Sequence, residues 1–488
     1  MARSGVFAAV DLGATSGRVI RAEVSPDGVQ LAEVHRFANE ATHDGGALRW
    51  NVSALFAEVL TGLRVAGADG DLDGIGIDSW AVDYGLLDAA GQLLAEPIAY
   101  RDERTTAVIE EVHAQISPER LYATSGMQYL PFNTIYQLAA ERRGPFWDRA
   151  ARTLLLPDLL GYWLTGAQVA ELTNASTTAL LDQRTRTWAT ELLSAVDVPA
   201  DLLPPVVPPG SLIGTLTEDI QERTGLGPVN VYAVGSHDTA SAVLAVPAER
   251  EDFAYISSGT WSLVGVELEH PVLTEASRTA NFTNELGVDA RVRYLRNVMG
   301  LWVLSECQRT WAEAGHEVDL PALLSEAAAL PARRTVVDVD HPDFMPPGDM
   351  PARLAEHARS TGQAVPSTPA EFARCVIDSL ALAYRRAISD AVRLSGKQVS
   401  VVHVVGGGSH NALLCQATAD ATGLPVLAGP AEGTALGNAL VQARAAGVLS
   451  GDRTALRAVA ARSAQVRRYQ PDPAEHRAWR AATGPSVS

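Results

Sequence analysis

One local pattern occurs twice in the chain and limits what it can fold into: an apolar strand, a turn of small and hydroxyl residues, and a second strand. The first copy spans residues 8–17 and the second spans residues 254–260. Helical and strand patterns alternate after the first copy, which is typical of an α/β domain with a mixed sheet. The repeat therefore predicts two related α/β domains in tandem.

The length of the chain, 488 residues, agrees with two or more domains. We expect the first domain to span residues 1–246, because Pro247 interrupts an apolar stretch there. The second domain is expected at residues 247–470, and residues 471–488 are expected to form a peripheral tail.

Net charge limits the kinds of partner the chain can bind, and its cysteine content limits disulfides and metal motifs. The chain carries 39 basic and 57 acidic residues, a formal net charge of −18, which argues against nucleic-acid and anionic membrane surfaces. Its three cysteines (Cys307, Cys375 and Cys415) are too widely spaced for a disulfide framework or a metal motif. The N-terminus does not read as a signal peptide, and no apolar run is long enough for a membrane span. We expect a cytoplasmic protein.

The only lysine, Lys397, excludes one common way of binding nucleotide. No Ser or Thr follows it, and Ala391 stands where the first glycine of a P-loop would be, so the chain has no Walker A loop. Nothing around Lys397 indicates a Schiff base either. Any nucleotide must be held by other groups.

The first turn contains groups that suit phosphate. Asp11 ends an apolar strand, and the loop after it offers backbone N–H groups together with the hydroxyls of Thr15 and Ser16. Asp11 could hold Mg²⁺, which prefers carboxylate oxygen and water. The alternative is an ordinary hairpin turn capped by Asp11.

Two motifs of the second half are similar in kind. Residues 257–260, Ser-Ser-Gly-Thr, form the counterpart of the first turn, and two such turns facing each other would clamp a nucleotide. Residues 406–408 are three consecutive glycines after an apolar strand, followed by a helix expected at 412–422. They could bring backbone and a helix N-terminus to an anion. Plain tight turns are the alternative for both.

Asp238 lies between an apolar strand at 229–234 and a helix expected at 240–246. A carboxylate in such a turn can position an acceptor hydroxyl and take its proton. A helix N-terminus would favour its ionised form. Alternatively, Asp238 or Ser236 caps the helix, and His237 is a packed histidine.

A possible carbohydrate site follows the strand predicted at 72–77. Asp78 and Asp83 could accept bonds from sugar hydroxyls, with Trp80 and Tyr84 as an aromatic floor. Residues 80–87 are expected to form a further strand. Both carboxylates could equally be turn and strand-edge residues.

These segments together resemble the FGGY family of carbohydrate kinases. The resemblance runs in family order from about residue 9 to residue 438 and rests on AVDLGATSGRV, GIGIDSWAVDYGLLD, SGMQYLPFNTIYQL, ELTNASTTALLD, GSHDTASAV, ISSGTWSLVGVE, NFTNELG, LRNVMGLWVL and VVGGGSHNALLC. It implies an α/β protein of two tandem ribonuclease-H-like (actin-like ATPase) domains with an interdomain active-site cleft. The sugar would bind on the N-terminal side and the nucleotide on the C-terminal side.

The resemblance also implies roles for matched positions. Asp238 would be the catalytic proton acceptor. The implied sugar contacts are Ala81, His237, Asp238 and Thr239. The implied ATP contacts are Ala14, Thr15, Ser16, Gly17, Arg18, Thr260, Asn297, Ser305 and Gly407. Two positions depart from the family pattern, with Ala81 in place of Gly and Ser305 in place of Gln.

The closest likeness within the family is to members that phosphorylate L-rhamnulose. It implies ATP- and Mg²⁺-dependent transfer to the 1-hydroxyl of that sugar, in L-rhamnose catabolism, with domain closure that excludes water. The alternatives are a kinase of another ketose, such as L-fuculose or a pentulose, a non-catalytic actin-like ATP-binding protein, and a nucleotide-dependent sugar sensor. In every case the expected partners are small molecules.

Overall fold

The computed structural model describes residues 4–481. They form two compact units, each assembled from three stretches of chain. The first unit comprises residues 4–249, Leu268–Tyr294 and Gly433–Ser463, and the second comprises Arg250–Glu267, Leu295–Glu432 and residues 464–481. Two segments that lie beyond the boundary expected at residue 246 therefore pack with the first unit. The contiguous division into 1–246 and 247–470 remains a prediction.

The described residues 4–249 form fourteen strands and nine α-helices. The strands are β1 (Gly5–Leu12), β2 (Ser16–Ser25), β3 (Gly28–Ala38), β4 (Thr42–Asp44), β5 (Ala47–Arg49), β6 (Gly74–Ser79), β7 (Tyr84–Leu87), β8 (Arg152–Leu155), β9 (Ala170–Glu171), β10 (Leu181–Asp182), β11 (Thr187–Trp188), β12 (Val206–Val207), β13 (Leu212–Thr215) and β14 (Asn230–Tyr232). The helices are α1 (Val52–Ala66), α2 (Ile109–Gln115), α3 (Pro118–Ser125), α4 (Thr134–Glu141), α5 (Leu156–Thr165), α6 (Leu172–Ala175), α7 (Thr190–Ala195), α8 (Glu218–Thr224) and α9 (Asp238–Leu244).

The remaining elements follow in chain order. The strands are β15 (Phe253–Ser258), β16 (Ser262–Leu268), β17 (Thr283–Leu286), β18 (Val292–Val298), β19 (Val401–Val405), β20 (Val426–Ala428) and β21 (Arg467–Tyr469). The helices are α10 (Glu275–Thr279), α11 (Trp302–Glu313), α12 (Leu320–Ala328), α13 (Met350–Ser360), α14 (Pro369–Ser395), α15 (Ala412–Thr422), α16 (Gly433–Ala445), α17 (Arg453–Ser463) and α18 (Pro473–Ala481).

A six-stranded sheet in the order β13-β14-β6-β1-β2-β3 forms the centre of the first unit. β1, β6 and β14 are parallel, whereas β2 and β3 continue from β1 as antiparallel hairpins. Residues 7–10 of β1 are fully buried. A strand buried on both faces needs an apolar run, which is what residues 6–10 supply.

Helix α16 joins this unit from a distant part of the sequence. Asn438 Nδ2 donates a hydrogen bond to the carbonyl of Gly76 (3.2 Å), and Gln442 Nε2 donates to the carbonyl of Ala8 (3.0 Å). On another side, Gly437 lies against α9: a Cβ at this position would sit 1.9 Å from the carbonyl oxygen of Ser241. Only glycine permits this approach of the two helices.

The strands of the second unit lie in the order β18-β16-β15-β19-β20-β21 within a seven-stranded sheet. β15 pairs antiparallel with β16 and parallel with β19, and β19 is parallel to β20. The first unit has the same order in β3-β2-β1-β6-β14, with its small-residue turn again joining the central strand to its antiparallel neighbour. The shared order confirms the predicted duplication of an α/β domain.

The ends of several elements differ from expectation. The strand expected at 72–77 is Gly74–Ser79, so Asp78 lies within it, and the strand expected at 229–234 is limited to Asn230–Tyr232. The strand expected at 80–87 is limited to Tyr84–Leu87, because the chain turns at Val82 with a positive φ of 72°. The helix expected at 240–246 begins two residues earlier, so that Asp238 is its first residue. Asp238 therefore lies inside the helix.

The tail expected to be peripheral contains helix α18. Trp479 is buried, and Arg385 donates a hydrogen bond to its carbonyl oxygen (2.7 Å), so residues 473–481 pack in the second unit. Residues 482–488 lie outside the described part of the chain. Among residues 4–481, no helix has both the length and the hydropathy needed to cross a membrane.

We expect the substitution Gly437→Ala to destabilise the protein by about 1–3 kcal/mol, because the added methyl meets backbone that cannot turn away. Urea unfolding measures the change. Gly227→Ala is the matched control, since a Cβ there has no atom within 4 Å, and it should alter the free energy of unfolding by less than about 1 kcal/mol. Equal effects of the two substitutions would contradict the close approach of α9 and α16.

Candidate active site

Three parallel strands of the first unit bring acidic residues to one edge of the sheet. Asp11 on β1 is the register partner of Asp78 on β6. Ser79 forms a parallel bridge with His237, which follows β14, and Asp238 comes next. Because the carboxyl ends of neighbouring parallel strands meet at one edge, this order places the three carboxyl groups together.

Asp78 is the innermost of the three. Its side chain is fully buried, and its Oδ2 accepts a hydrogen bond of 2.6 Å from Asn438 Nδ2. Its Oδ1 is buried with no hydrogen-bond partner among the described residues. Burial, and then the negative charges of Asp11 and Asp238, raise the pKa of Asp78 well above its ordinary value. A cation at this edge would relieve that repulsion.

Asp11 is neutralised by its cross-strand neighbour. Arg18 is its register partner on β2 and donates to Asp11 Oδ2 from Nη2 (2.6 Å) and from Nε (3.2 Å). The pair is largely buried. Arg18, expected to line ATP phosphates, is thus tied to the carboxylate expected to hold Mg²⁺.

Asp238 occupies the first position of α9. Its Oδ1 accepts a hydrogen bond of 2.9 Å from the Thr239 hydroxyl. The cap residue is His237, whose side chain makes no capping bond. The alternative in which Asp238 caps the helix is therefore not what the structure shows.

The ionisation of Asp238 also differs from expectation. Burial is the largest influence on the pKa of Asp238 and raises it. The positive charge of His237 lowers the pKa, and the negative charge of Asp11 raises it further, so the net shift is upward. The expectation that a helix N-terminus keeps Asp238 readily ionised is wrong in its net direction. α9 has only seven residues, and the desolvated, acidic surroundings outweigh its dipole. The side chain is nevertheless 31% exposed and so accessible to a substrate.

His237 connects Asp238 to a buried ion pair. Its Nε2 lies 3.4 Å from Asp238 Oδ1, while its Nδ1 lies 3.0 Å from Arg293 Nη2 and 3.3 Å from Glu285 Oε2. Arg293 is fully buried and contacts Glu285 at 3.1 Å. Nδ1 therefore faces both a donor, Arg293, and an acceptor, Glu285, whereas Nε2 faces the carboxylate of Asp238, which when ionised can only accept a hydrogen bond.

The charge of Glu285 is sustained by its partners. Burial alone would raise its pKa, but the positive charges of Arg293 and His237 outweigh it, and the net shift is downward. Glu285 and Arg293 therefore form a charged pair behind His237 that holds the ring in place.

A second buried carboxylate holds the turn that precedes Asp238. Glu171 Oε2 accepts hydrogen bonds from Ser236, from the amide (3.1 Å) and the hydroxyl (2.7 Å). The amide of His237 donates to the hydroxyl of Thr173 (3.3 Å). Ser236, the other possible cap, is engaged with Glu171. These bonds from Glu171 and Thr173 fix the backbone that leads into Asp238.

The first small-residue turn is closed by its own backbone. The Gly13 amide donates to the carbonyl of Ser16 (2.9 Å), and Asn39 Nδ2 donates to the carbonyl of Gly13 (2.8 Å). Ala14 and Ser16 are half-buried, and Thr15 is exposed. At Gly17 an added Cβ would lie 2.3 Å from the ring of Phe37, so this glycine has a packing role.

Asp83 organises the loop expected to contact sugar. Its Oδ2 accepts from the indole N–H groups of Trp50 (2.6 Å) and Trp80 (2.9 Å) and from the amide of Tyr100 (3.2 Å). Burial outweighs these bonds and raises the pKa of Asp83 to about 6. Gln137 Nε2 donates to the other oxygen, Oδ1 (3.2 Å). A carboxylate that is 1% exposed and bound by four donors is structural, so the strand-edge interpretation of Asp83 holds.

The same loop carries backbone strain beside Ala81. Val82 has φ 72°, which is rare for a β-branched residue. Its carbonyl accepts hydrogen bonds from the Thr134 hydroxyl (2.8 Å) and from Gln137 Nε2 (3.3 Å), and these bonds hold the conformation. Ala81 is half-buried at the start of this strained turn.

In the second unit, the turn that carries Thr260 packs on a glycine corner. The amide of Trp302 donates to the carbonyl of Thr260 (3.0 Å). Gly300 has φ 56°, and a Cβ there would lie 2.5 Å from the same carbonyl oxygen. Asn297 is half-buried near the end of β18, three residues before this corner.

The three consecutive glycines have two different roles. A Cβ at Gly406 would lie 2.8 Å from the carbonyl oxygen of Ser258, and one at Gly408 would lie 2.0 Å from the Ser258 hydroxyl. A Cβ at Gly407 would meet nothing within 4 Å. Gly406 and Gly408 are thus required by packing, and only Gly407 borders open space.

That space is a cavity of about 750 Å³ with a mostly apolar lining. Ser305 on α11 and Gly407 both line it, which brings together two of the residues expected to contact nucleotide. Thr260 and Asn297 are not among its lining residues. Besides Ser305 and Gly407, the cavity is lined by Leu301, Leu304, Gln308, Leu320, Pro321, Leu324, Ser325, Ala328, His410, Asn411, Ala412, Leu413, Gln416 and Tyr469.

Sequence reasoning assigned no role to Glu171, Glu285 or Arg293. Glu171 stands in ELTNASTTALLD and Glu285 in NFTNELG, both recognised as family segments. Each lies at least 45 residues from Asp238, so no local spacing links it to the catalytic turn. An acidic residue inside an otherwise neutral segment was the only available signal.

The duplicated sheet defines a two-domain α/β fold of the actin-like, ribonuclease-H-like kinase class. The family comparison agrees: the N-terminal domain model of the FGGY family of carbohydrate kinases matches residues 6–245, and its C-terminal domain model matches residues 254–446. The chain belongs to the FGGY family of carbohydrate kinases.

Curated relatives in this family are similar over nearly the whole chain. The rhamnulokinase of Bacteroides thetaiotaomicron is 42% identical over 479 residues, which cover 98% of this chain and 97% of the relative. The rhamnulokinase of Enterococcus faecalis is 41% identical over 471 residues, with 96% and 94% covered.

Solved structures share the fold at low identity. A gluconate kinase from Lactobacillus acidophilus superposes with a TM-score of 0.81 at 18% identity, covering 98% of this chain and 96% of its own. A xylulose kinase from the same organism gives a TM-score of 0.80 at 18% identity, with the same coverage.

The ion pair behind His237 generates a prediction. We expect Glu285→Gln to lower the free energy of unfolding by about 3–5 kcal/mol, because it leaves Arg293 buried without a counter-charge. The double variant Glu285→Gln/Arg293→Met should regain part of that stability, since no unpaired charge remains. Its kinase activity should stay low, because His237 has lost its Nδ1 partner. Urea unfolding and steady-state kinetics measure the two effects.

The matched control is Glu191→Gln, the same change in the exposed pair with Arg120. It should alter stability by less than about 1 kcal/mol. Recovery of both stability and full activity in the double variant would reduce the pair to a structural role.

Proposed function

We propose that the chain transfers the γ-phosphoryl group of ATP to the 1-hydroxyl of L-rhamnulose, giving L-rhamnulose 1-phosphate and ADP in L-rhamnose catabolism. The observation that carries the proposal is the placement of Asp238: it is the accessible member of a buried carboxylate group, in a chain 42% identical to a rhamnulokinase over 98% of its length.

Asp238 acts as the base in this proposal. Its carboxylate accepts the proton of the 1-hydroxyl as the oxygen attacks phosphorus, and it orients that oxygen before the reaction. His237 keeps its Nε2 proton toward Asp238 and offers an edge to the sugar. Thr239 donates to Asp238 Oδ1 and so limits the rotation of the carboxylate.

The carboxylate edge also suits Mg²⁺. Asp11 and Asp78 would hold the ion, directly or through water, because carboxylate oxygen is its preferred ligand and Asp78 Oδ1 is buried without a hydrogen-bond partner in the described part of the chain. When bound, Mg²⁺ neutralises charge on the phosphates. Arg18 meanwhile balances the charge of Asp11.

The ATP contacts expected from the family resemblance belong to the same proposal. In the first unit, the turn Ala14–Arg18 offers backbone N–H groups and hydroxyls to phosphate. In the second unit, Thr260 would contact phosphate and Asn297 would contact nucleotide. The mostly apolar cavity bordered by Ser305 and Gly407 would take the flat faces of the adenine ring. Ser305 offers only a hydroxyl there, whereas Gln308 in the same lining offers an amide.

The first test replaces the base. Asp238→Asn should lower kcat for L-rhamnulose at least about 10²-fold, measured as ADP release, with an unchanged melting temperature. The wild-type pH profile gives a second readout. Because the base works only when ionised and its pKa is raised, kcat/KM should fall with decreasing pH at values above the ordinary range of aspartate. Near-normal turnover by folded Asp238→Asn would remove Asp238 from the mechanism.

The second test addresses the sugar. Wild-type protein should turn over L-rhamnulose with a higher kcat/KM than L-fuculose or pentuloses. Ala81→Gly should reduce that selectivity by about tenfold, because one methyl group at a sugar contact is worth an effect of this size. Ala89→Gly, in an exposed turn, is the matched control and should change nothing. Higher kcat/KM with another ketose would replace L-rhamnulose as the substrate.

A further inference from the structure

Two imidazoles and one carboxylate meet on the surface of the second unit, in a segment with no part in the proposed reaction. His341 and Asp343 belong to the turn after Asp340, and His357 lies in the last turn of α13. Asp343 Oδ2 lies 3.0 Å from His357 Nε2 and 3.5 Å from His341 Nδ1. One potential ligand atom from each residue lies within 4.8 Å of the other two.

The spacing of these atoms fits a small tetrahedral ion. Zinc binds imidazole nitrogen and carboxylate oxygen at about 2.0–2.1 Å, so two of its ligands are roughly 3.3–3.4 Å apart. The observed 3.0 Å and 3.5 Å lie on either side of that value. Hence an ion could enter with small movements of Asp343, and His341 would supply the third protein ligand.

The two rings are held in place by packing. Phe344 is fully buried, and its ring centroid lies 4.7 Å from that of His357 and 6.2 Å from that of His341. The two imidazole centroids are 4.4 Å apart. Arg353 fixes the turn itself by donating to the carbonyls of Asp343 (3.1 Å) and Pro346 (2.5 Å). Because these side chains are already held in place, zinc binding would cost little conformational entropy.

The hydrogen bonds of the cluster show what a metal would replace. The amide of Asp343 donates to His341 Nδ1 (3.2 Å), and zinc would take the place of this long bond, because the nitrogen has a single lone pair. Arg353 donates its hydrogen bonds to main-chain carbonyls, so the carboxylate of Asp343 remains available beside the two imidazoles.

We propose that His341, Asp343 and His357 form a zinc site with three protein ligands and a fourth position open to solvent. Two imidazoles with one carboxylate favour zinc over Mg²⁺ or Ca²⁺, which prefer oxygen ligands. The accessible surfaces of His341 (43%) and Asp343 (59%) provide an entry path.

Zinc at this site would cross-link the turn to α13 and stabilise the corner at the start of α11, which the turn supports. Phe344 accepts a hydrogen bond at its carbonyl from Trp302 Nε1 (3.1 Å), and Asp340 Oδ1 accepts one from the Met299 amide (3.0 Å). These bonds hold the corner that begins α11, the helix that carries Ser305. The site is structural, and its test does not depend on the reaction proposed above.

The test is calorimetric titration of the metal-free, full-length chain, without a histidine tag or nucleotide, with ZnCl₂. The wild-type chain should bind one equivalent, and zinc should raise its melting temperature. Asp343→Ala and His357→Ala should each weaken binding by at least about 10²-fold, since even the loss of outer-shell partners costs 10- to 100-fold. Neither variant should then be stabilised by zinc.

His316→Ala is the matched control, because His316 is an exposed histidine of the same unit outside the cluster, and it should bind zinc like the wild type. Should His357→Ala fail to fold, the more exposed His341→Ala replaces it with the same expectation. Absence of saturable zinc binding by the wild type would overturn the proposal, as would unchanged affinity in the cluster variants.

Discussion

Repulsion among three carboxyl groups is the constraint that the first unit is arranged to satisfy. Parallel strands place Asp11, Asp78 and Asp238 at one sheet edge, where burial strengthens every interaction between charges. Each has a different partner. Arg18 pairs with Asp11 across the hairpin, Asn438 donates to Asp78 from α16, and His237 stands beside Asp238. Removing any one partner would affect the pKa values of Asp78 and Asp238.

Much of this arrangement could be predicted from sequence. The repeated strand–turn–strand pattern predicted the duplicated fold. A strand before Asp238 and a helix after it were also expected, although the helix begins at Asp238 itself. The upward pKa shift of Asp238 could not be predicted, because it depends on Asp11 and on burial. The structural role of Asp83 depends in the same way on Trp50 and Tyr100, which are distant in sequence.

Glycine patterns show where sequence interpretation needs the structure. Gly17, Gly406 and Gly408 were all candidates for phosphate contact, yet each is required by a neighbouring side chain or carbonyl. Gly407 alone faces an open cavity. A glycine-rich turn therefore indicates close approach of the backbone, and only the fold tells whether the approaching group is protein or ligand.

Helix α16 has a consequence for the synthesis of the protein. The chain emerges from the ribosome N-terminus first, and domains generally fold as units as they appear. The sheet that contains Asp78 is complete once β14 has been made, but Asn438 follows more than 200 residues later. Until then the nascent chain holds an acidic sheet edge without its amide partner and an apolar face without its covering helix. The first unit can reach its final packing only after α16 has been made.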